Sequence, residues 1–221
     1  MAPDRGRSLA WLLVALCWAA PVGRAGAQQP GQRLGLHAHD GFMARLTGGF
    51  GSGVNSAAGT DSVGDFERTH DGFAGSLSLD VGGAPAENLI VHGRLANHTI
   101  VSPDLTLDGR ELGEQERSSI TAHLLGAGVS YYLMPINFYG TLAVGLSWLR
   151  FESKRGRQQY THPGIAVNAD VGKEWWISAD VGLGVAARFW YTHASQEDAE
   201  IDLEGTHDYL GWALLASFTW Q

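Results

Sequence analysis

The last twelve residues, Leu210 to Gln221, are Leu-Gly-Trp-Ala-Leu-Leu-Ala-Ser-Phe-Thr-Trp-Gln. Every second residue from Leu210 to Trp220 is apolar, and most of these side chains are large, whereas the residues between them are mainly small or polar. Successive side chains of a β-strand point to opposite faces. This period of two therefore predicts a strand with one strongly apolar face.

Seven further segments upstream show the same alternation. The eight predicted strands cover roughly 39–50, 71–82, 88–100, 118–134, 137–151, 162–173, 179–193 and 207–221. The seven connections between them are alternately long and short, beginning and ending with a long one. An even number of strands with this rhythm is typical of a bacterial outer-membrane barrel, which has short periplasmic turns and longer outer loops. We therefore predict an all-β fold, an eight-stranded antiparallel up-and-down transmembrane β-barrel.

The N-terminus predicts export from the cytoplasm. Arg5 and Arg7 precede an apolar run from Leu9 to Ala20, and the small residues Ala25 to Ala27 follow. This is the pattern of a cleaved secretory signal peptide. The run of about 12 residues is shorter than the 20 or so that a membrane-spanning helix needs. The predicted organisation is a signal peptide (1–27), a periplasmic lead-in (28–38) and an outer-membrane β-barrel (39–221).

Charge and cysteine content exclude two classes of protein. The formal net charge of the whole chain is −8, and loss of Asp4 and three arginines with the signal peptide makes it −10. Such an acidic chain is not expected to bind nucleic acid. The single cysteine, Cys17, lies in the predicted signal peptide, so a disulfide scaffold is excluded.

The alternation also predicts which side chains face outward. The predicted outward set is Phe42, Leu46, Phe50, Phe73, Leu77, Leu79, Val81, Leu89, Val91, Leu95, Leu125, Val129, Tyr131, Leu133, Phe138, Leu142, Val144, Leu146, Trp148, Ile165, Val167, Val171, Val181, Leu183, Val185, Phe189 and Tyr191. Alternation alone does not distinguish a lipid-facing apolar surface from the apolar core of a soluble, lipocalin-like barrel.

Aromatic residues favour the membrane alternative, because membrane barrels carry aromatic girdles at both interfaces. We predict one girdle at the short-turn end, formed by Tyr131, Tyr132, Phe138, Tyr139, Trp175, Trp176 and Trp220. A second girdle at the loop end would contain Trp148, Phe151, Phe189, Trp190, Tyr191, Tyr209 and Trp212.

Charged residues share the predicted inward face. They are Arg45, Asp80, His92, Arg94, Asp170 and Arg188, with Glu174 as a further candidate. The interior of an eight-stranded barrel is just wide enough for side chains to fill, and buried charges need partners. We expect Arg45 beside Asp80, Asp80 beside His92 or Arg94, and Asp170 beside Arg188. These residues would form either a filled lumen or a narrow polar conduit.

With these features the chain resembles the small outer-membrane β-barrels of Gram-negative bacteria, the OmpA/OmpX-like group. The resemblance covers residues 39–221 and rests on the signal peptide, the eight strands and the aromatic-rich strand from Leu210 to Trp220. That strand resembles the C-terminal signal which the barrel-insertion machinery recognises, although Gln221 follows the final aromatic residue. The resemblance implies a monomer in contact with outer-membrane lipid and lipopolysaccharide.

Three functions remain open from the sequence. The first is a non-catalytic structural or surface-interaction role, without cofactor or metal. The second is a small pore or a carrier for ions or hydrophobic solutes. The third is modification of lipid A, suggested by His193, Ser195 and Glu197, which resemble the His-x-Ser pair and acid of certain barrel enzymes. Three predicted outer loops are acidic, whereas the third contains Arg155 and Arg157, which could contact lipopolysaccharide phosphates.

Overall fold

The computed structural model describes residues 39–61, 64–154, 156–198 and 203–221. The predicted signal peptide and the predicted lead-in lie outside these residues and stay predictions. Within the described residues, no helix is long and apolar enough to cross a membrane.

Eleven β-strands make up the described chain. They are β1 (Phe42–Asp61), β2 (Gly64–Ala86), β3 (Leu89–Val101), β4 (Asp104–Leu107), β5 (Arg110–Glu114), β6 (Ser119–Leu133), β7 (Phe138–Glu152), β8 (Gln158–Tyr160), β9 (Gly164–Trp176), β10 (Val181–Asp198) and β11 (Leu203–Trp220). Eight of them form a closed ring in the order β1, β2, β3, β6, β7, β9, β10 and β11, and β11 pairs with β1. Every neighbouring pair is antiparallel. The predicted eight-stranded up-and-down barrel is confirmed.

The short turns are made by residues suited to reversing the chain. Asn88 between β2 and β3 has φ of 63°, and Asn137 between β6 and β7 has φ of 52°. Asparagine tolerates this left-handed conformation better than most residues because its short side chain bonds to nearby backbone. Both turns lie at the same end of the barrel, next to the start of β1.

The two faces of the wall differ as the alternation predicts. Outward apolar side chains in the middle of the wall stay largely exposed, for example Phe50 at 62%, Leu142 at 60% and Leu214 at 56%. The inward neighbours of Leu142 and Leu214 along the same strands are buried, and the two glycines beside Phe50 are half-buried. Every residue predicted to face outward does so. The protein therefore has an apolar exterior and an interior that contains polar and charged groups.

Six aromatic residues were predicted in the wrong place. Tyr132, Tyr139, Trp190 and Tyr209 were expected in the outer girdles, but each is at most 1% exposed and faces the lumen. Phe151 and Trp176 are half-buried and have the same inward parity: Phe151 packs against buried apolar residues, and the ring centre of Trp176 lies 5.1 Å from that of His39. The prediction used only their position near a strand end. Their parity along the strand puts them on the inward face.

The long connections contain more strand than the sequence predicts. Strand β1 continues to Asp61 and β2 starts at Gly64, so the segment predicted as a Gly/Ser/Asp-rich loop is a paired ribbon. Likewise β4 and β5 lie within the predicted loop 101–117. These segments lack an apolar period because the buried inward residues of the ribbon, such as Asn55 and Ala57, are polar or small, whereas β5 is exposed along its whole length. Once a hairpin has formed, backbone hydrogen bonds between its two strands can extend it further, and these bonds do not require an apolar side-chain pattern.

The facing assignment predicts unequal effects of two changes on β7. Val144 is 55% exposed on the outer surface, whereas Thr141 is 4% exposed in the lumen. Val144→Arg should lower the free energy of unfolding from lipid vesicles by about 2–4 kcal/mol, because an arginine would enter hydrocarbon. Thr141→Ser keeps the hydroxyl and should leave stability nearly unchanged. Urea titration of both variants measures this, and equal losses would contradict the assignment.

Candidate functional site

The centre of the lumen holds a cluster of ionic side chains, each at most 2% exposed. Asp80 on β2 accepts hydrogen bonds from two arginines. Arg45 on β1 approaches its Oδ2 at 2.9 Å through Nη2, and Arg94 on β3 donates to Oδ1 at 2.7 Å and to Oδ2 at 2.8 Å. The three residues are direct cross-strand neighbours, since Arg45 pairs with Asp80 and Asp80 pairs with Arg94.

A second carboxylate completes the cluster on the opposite wall. Arg94 reaches across the lumen and donates from Nη2 to Asp170 on β9 at 2.8 Å. Asp170 also accepts two hydrogen bonds from Arg188 on β10, at 2.7 and 2.9 Å. Two carboxylates thus alternate with three guanidinium groups in one continuous chain, which we call the lumen network: Arg45, Asp80, Arg94, Asp170 and Arg188.

Hydroxyl groups also contact the Nη2 atoms of Arg45 and Arg188. Arg45 donates to Ser130 and Thr141 at 3.1 Å each. Arg188 donates to Ser78 at 2.9 Å and, at 3.3 Å, to Thr47. The network and its hydroxyl partners therefore connect every strand of the ring except β11. Because an unpaired buried charge is costly, these contacts make burial of three arginines tolerable.

Two further predicted residues border the network. The Nδ1 atom of His92 lies 3.8 Å from Asp80, and its Nε2 atom is 3.2 Å from the Ser130 hydroxyl. Glu174 accepts a hydrogen bond from Thr219 of β11 at 2.7 Å and another from Tyr132 at 3.3 Å. The Tyr132 hydroxyl also lies 3.4 Å from Nη1 of Arg45, so Tyr132 connects Glu174 to the lumen network.

Apolar layers fill the lumen on both sides of the network. Toward the long loops lies a cluster that includes Ile100, Leu124, Leu149, Trp190 and Tyr209. Toward the short turns lies a second cluster of Met43, Ile90, Tyr132, Tyr139, Ala186, Ala213 and Leu215. The lumen is therefore occupied at three levels by packed side chains.

His39, just before β1, covers the short-turn end of the lumen. Its ring stacks on Tyr132 with 3.6 Å between centroids, and Nε2 lies 2.8 Å from the side-chain oxygen of Asn137. The other ring nitrogen contacts Gln221, and the backbone of His39 bonds to Asn88. Burial lowers the pKa of His39. The neutral form is thus favoured when folded, and this stabilisation is lost as the pH falls below about 6.5.

The residues considered for lipid A chemistry lie on the outer surface, near the loop end of β10. His193 and Ser195 are both exposed. The side chain of Glu197 lies outside the described residues, but Asp208 of β11 is 2.9 Å from Nδ1 of His193. Tyr191 donates to the same carboxylate at 2.7 Å. Among the described residues, no group of three or more His, Cys, Asp or Glu is arranged to hold a metal ion.

Similarity to known proteins is confined to structure. No protein-family model matches the chain, and no curated protein matches its sequence. The outer membrane protein OprG from Pseudomonas aeruginosa matches with a TM-score of 0.50 and 14% identity, over 84% of this chain and 99% of OprG. The fold is that of a small outer-membrane β-barrel. The Neisserial surface protein NspA matches with a TM-score of 0.41 and 13% identity, over 81% and 96% of the two chains. The outer membrane protease OmpT from Escherichia coli matches at 0.42 and 9%, over 82% and 97%.

Three functional contacts were absent from the sequence-based expectation. The bond from Arg94 to Asp170 crosses the barrel between β3 and β9, so no neighbouring-strand argument predicts it. The approach of Asp208 to His193 depends on the register between β10 and β11, which alternation along each single strand does not specify. His39, which covers the short-turn end of the lumen, lies in a segment without alternation, so the sequence pattern did not place it. A polar residue shortly before the first inward-facing residue of β1 was the only sequence feature that could have indicated this role.

Removing Asp80 tests the lumen network. Asp80→Ala leaves Arg45 and Arg94 without their shared carboxylate, so we expect the free energy of unfolding to fall by about 3–5 kcal/mol. Asp80→Ala combined with Arg94→Ala should recover part of that loss, because one uncompensated charge disappears. The matched control is Asp208→Ala, which breaks an exposed pair and should cost at most about 1 kcal/mol. Similar losses in Asp80→Ala and the control would contradict the pairing.

Proposed function

We propose that the protein is an integral β-barrel of the bacterial outer membrane that has a structural or surface-interaction role and no catalytic activity. Its lumen is closed, its lipid-facing wall anchors it, and its extended hairpins project from the cell surface. Exposure of the apolar outer face is the observation that carries the proposal.

That outer face would be costly in water. Along β10, for example, Leu183, Val185 and Phe189 are each 45–54% exposed, while Arg188 between them is buried. A soluble barrel would have the opposite arrangement, because large exposed apolar surfaces favour association and aggregation. Hydrocarbon removes this cost. Trp175, Trp212 and Trp220 remain on the outer face, where indole rings suit a membrane–water interface.

The lumen network supports a closed barrel over a pore or a carrier. An ion entering the lumen would have to displace the salt bridges of Asp80 and Asp170 and pass two packed apolar layers. Charges that neutralise one another also present little net field to a passing ion. The network therefore serves as an internal brace that holds opposite walls of the barrel together.

The outer hairpins supply the surface on which a partner would bind. The hairpin of β4 and β5 contains Asp104, Asp108, Glu111 and Glu114, and its acidic character continues in Glu116, which lies 3.6 Å from Lys154 of the next connection. Lipopolysaccharide phosphates would favour the basic connection around Arg157. We also propose that β11, with its outward Phe218 and Trp220, is the strand that the insertion machinery recognises.

Cell fractionation and conductance test this proposal together. The mature chain should appear in the outer membrane, and the folded protein should migrate faster on unboiled SDS gels than after boiling. Planar bilayers containing the wild-type protein should show little steady conductance. Recovery from the soluble periplasm without detergent would overturn the membrane assignment, and stable single-channel currents that change ion selectivity in Asp80→Ala would favour the pore.

A second candidate function rests on Asp208. A serine becomes nucleophilic when a histidine accepts its proton and a carboxylate orients that histidine. Asp208 holds Nδ1 of His193, and Ser195 is two residues farther along the same outward face. In an ester hydrolase, Ser195 Oγ would attack the ester carbonyl of a lipid acyl chain and pass its proton to His193. The alcohol would leave with that proton, and water would then release the acid.

Mass spectrometry of lipid A tests this second candidate. Cells that express the wild type should lose an ester-linked acyl chain from lipid A, whereas Ser195→Ala and Asp208→Asn should abolish the loss. Ser56→Ala changes an exposed outward serine of β1 that pairs with Asp208, so it is the matched control and should behave as the wild type. Identical lipid A with and without the protein would exclude the hydrolase.

A further inference from the structure

The apolar outer face contains a depression. It crosses β7, β9, β10, β11 and β1, has a cavity volume of about 610 Å³, and its lining is almost entirely apolar. Its floor is made of small residues, Gly48, Ala187 and Ala216. Larger side chains, including Phe50 and Phe138, stand at its two ends. We call it the outer groove.

Strand register explains the course of the outer groove. Phe138, Lys173, Val185, Ala216 and Gly48 follow one another as paired residues across five adjacent strands. Four interstrand spacings of about 4.8 Å give a length of roughly 19 Å. Phe138 is the first residue of β7, whereas Gly48 is the seventh of β1, so the groove rises from the short-turn end toward the middle of the wall. One leaflet of hydrocarbon is about 15 Å deep, so an inclined groove of this length traverses about one leaflet.

The lower end of the outer groove carries a positive charge. Lys173 lines it, and no other outward-facing Lys or Arg occurs on the short-turn half of the described wall. Its ammonium donates to the carbonyl of Ile136 and lies 5.6 Å from the ring centre of Trp175. An ammonium has three N–H donors. Two therefore remain for a ligand at the level where the wall meets the headgroup region.

We propose that the outer groove is a specific binding site for one glycerophospholipid of the periplasmic leaflet. One acyl chain would occupy the groove over Gly48, Ala187 and Ala216, and the phosphate would accept hydrogen bonds from Lys173. This proposal rests on the membrane location proposed above.

The charge and the direction of the groove favour this ligand over two others. A second copy of the chain would bring another Lys173 toward the same wall, whereas a phosphate provides the opposite charge. Lipopolysaccharide belongs to the leaflet at the loop end, but the charged end of the groove adjoins the β6–β7 turn at Ile136. A phospholipid chain satisfies both the apolar floor and the cationic end.

Photolabelling of the full mature barrel tests the proposal. The protein is inserted into phosphatidylethanolamine–phosphatidylglycerol vesicles that contain a phosphatidylethanolamine with a diazirine in the middle of one acyl chain. Labelled peptides should come mainly from β1, β10 and β11. Ala216→Leu fills the floor and Lys173→Gln removes the phosphate partner, and each should reduce this labelling by about fivefold or more. Ala127→Leu makes the same addition on β6, across the barrel from β11, and should leave labelling unchanged.

The possible outcomes separate this proposal from the membrane assignment. Uniform labelling around a correctly inserted, heat-modifiable barrel would overturn the lipid site and leave the membrane assignment intact. Crosslinks between two protein copies through β1 and β11 would also overturn it, in favour of self-association. Failure of the wild type to insert into the vesicles at all would overturn both proposals.

Discussion

The structure depends on one constraint: eight strands enclose a space too narrow for water and ions to solvate buried charges freely. Arg45, Arg94 and Arg188 point into that space, so each needs a partner supplied by the protein. Asp80 and Asp170 meet this need by each bonding to two arginines. Because Arg94 bonds to both, the pairs form one unit that connects opposite walls. The same side chains therefore neutralise the buried charges and hold the strands of the barrel together.

The exterior obeys the complementary constraint. In a closed ring every strand is paired on both sides, so the backbone N–H and C=O groups need no hydrogen bonds from the surroundings. The outward side chains alone therefore determine whether the barrel is stable in water or in lipid. Leu142 and Leu214 are more than half exposed in the middle of the wall. Such residues are stable beside hydrocarbon and unfavourable beside water. The division between a polar, paired interior and an apolar exterior is what makes the membrane location the best-supported proposal.

Much of this fold could be predicted from the sequence, because a period of two shows directly which side chains of a strand share a face. The outward set from Phe42 to Tyr191 followed from parity alone. Tyr132 and Trp190 show where the prediction went wrong, since position along the strand was given more weight than parity. The ribbon beyond Phe50 could not be predicted, because its buried inward residues, such as Asn55 and Ala57, are polar or small and give no apolar period. Contacts across the lumen, such as Arg94 with Asp170, depend on barrel diameter and side-chain reach, which local sequence does not encode.

A rigid interior also affects what the exterior can do. The lumen network and its hydroxyl partners connect seven of the eight ring strands, so the outer surface of β9 and β10 is held by buried residues such as Asp170 and Arg188 on the same strands. The outer groove lies on those two strands and their neighbours, so its floor rests on a fixed backbone. A preformed cavity binds a flexible acyl chain at a lower entropic cost than a surface that must first reorganise. The interior brace and a lipid site on the exterior are thus compatible consequences of one packed lumen.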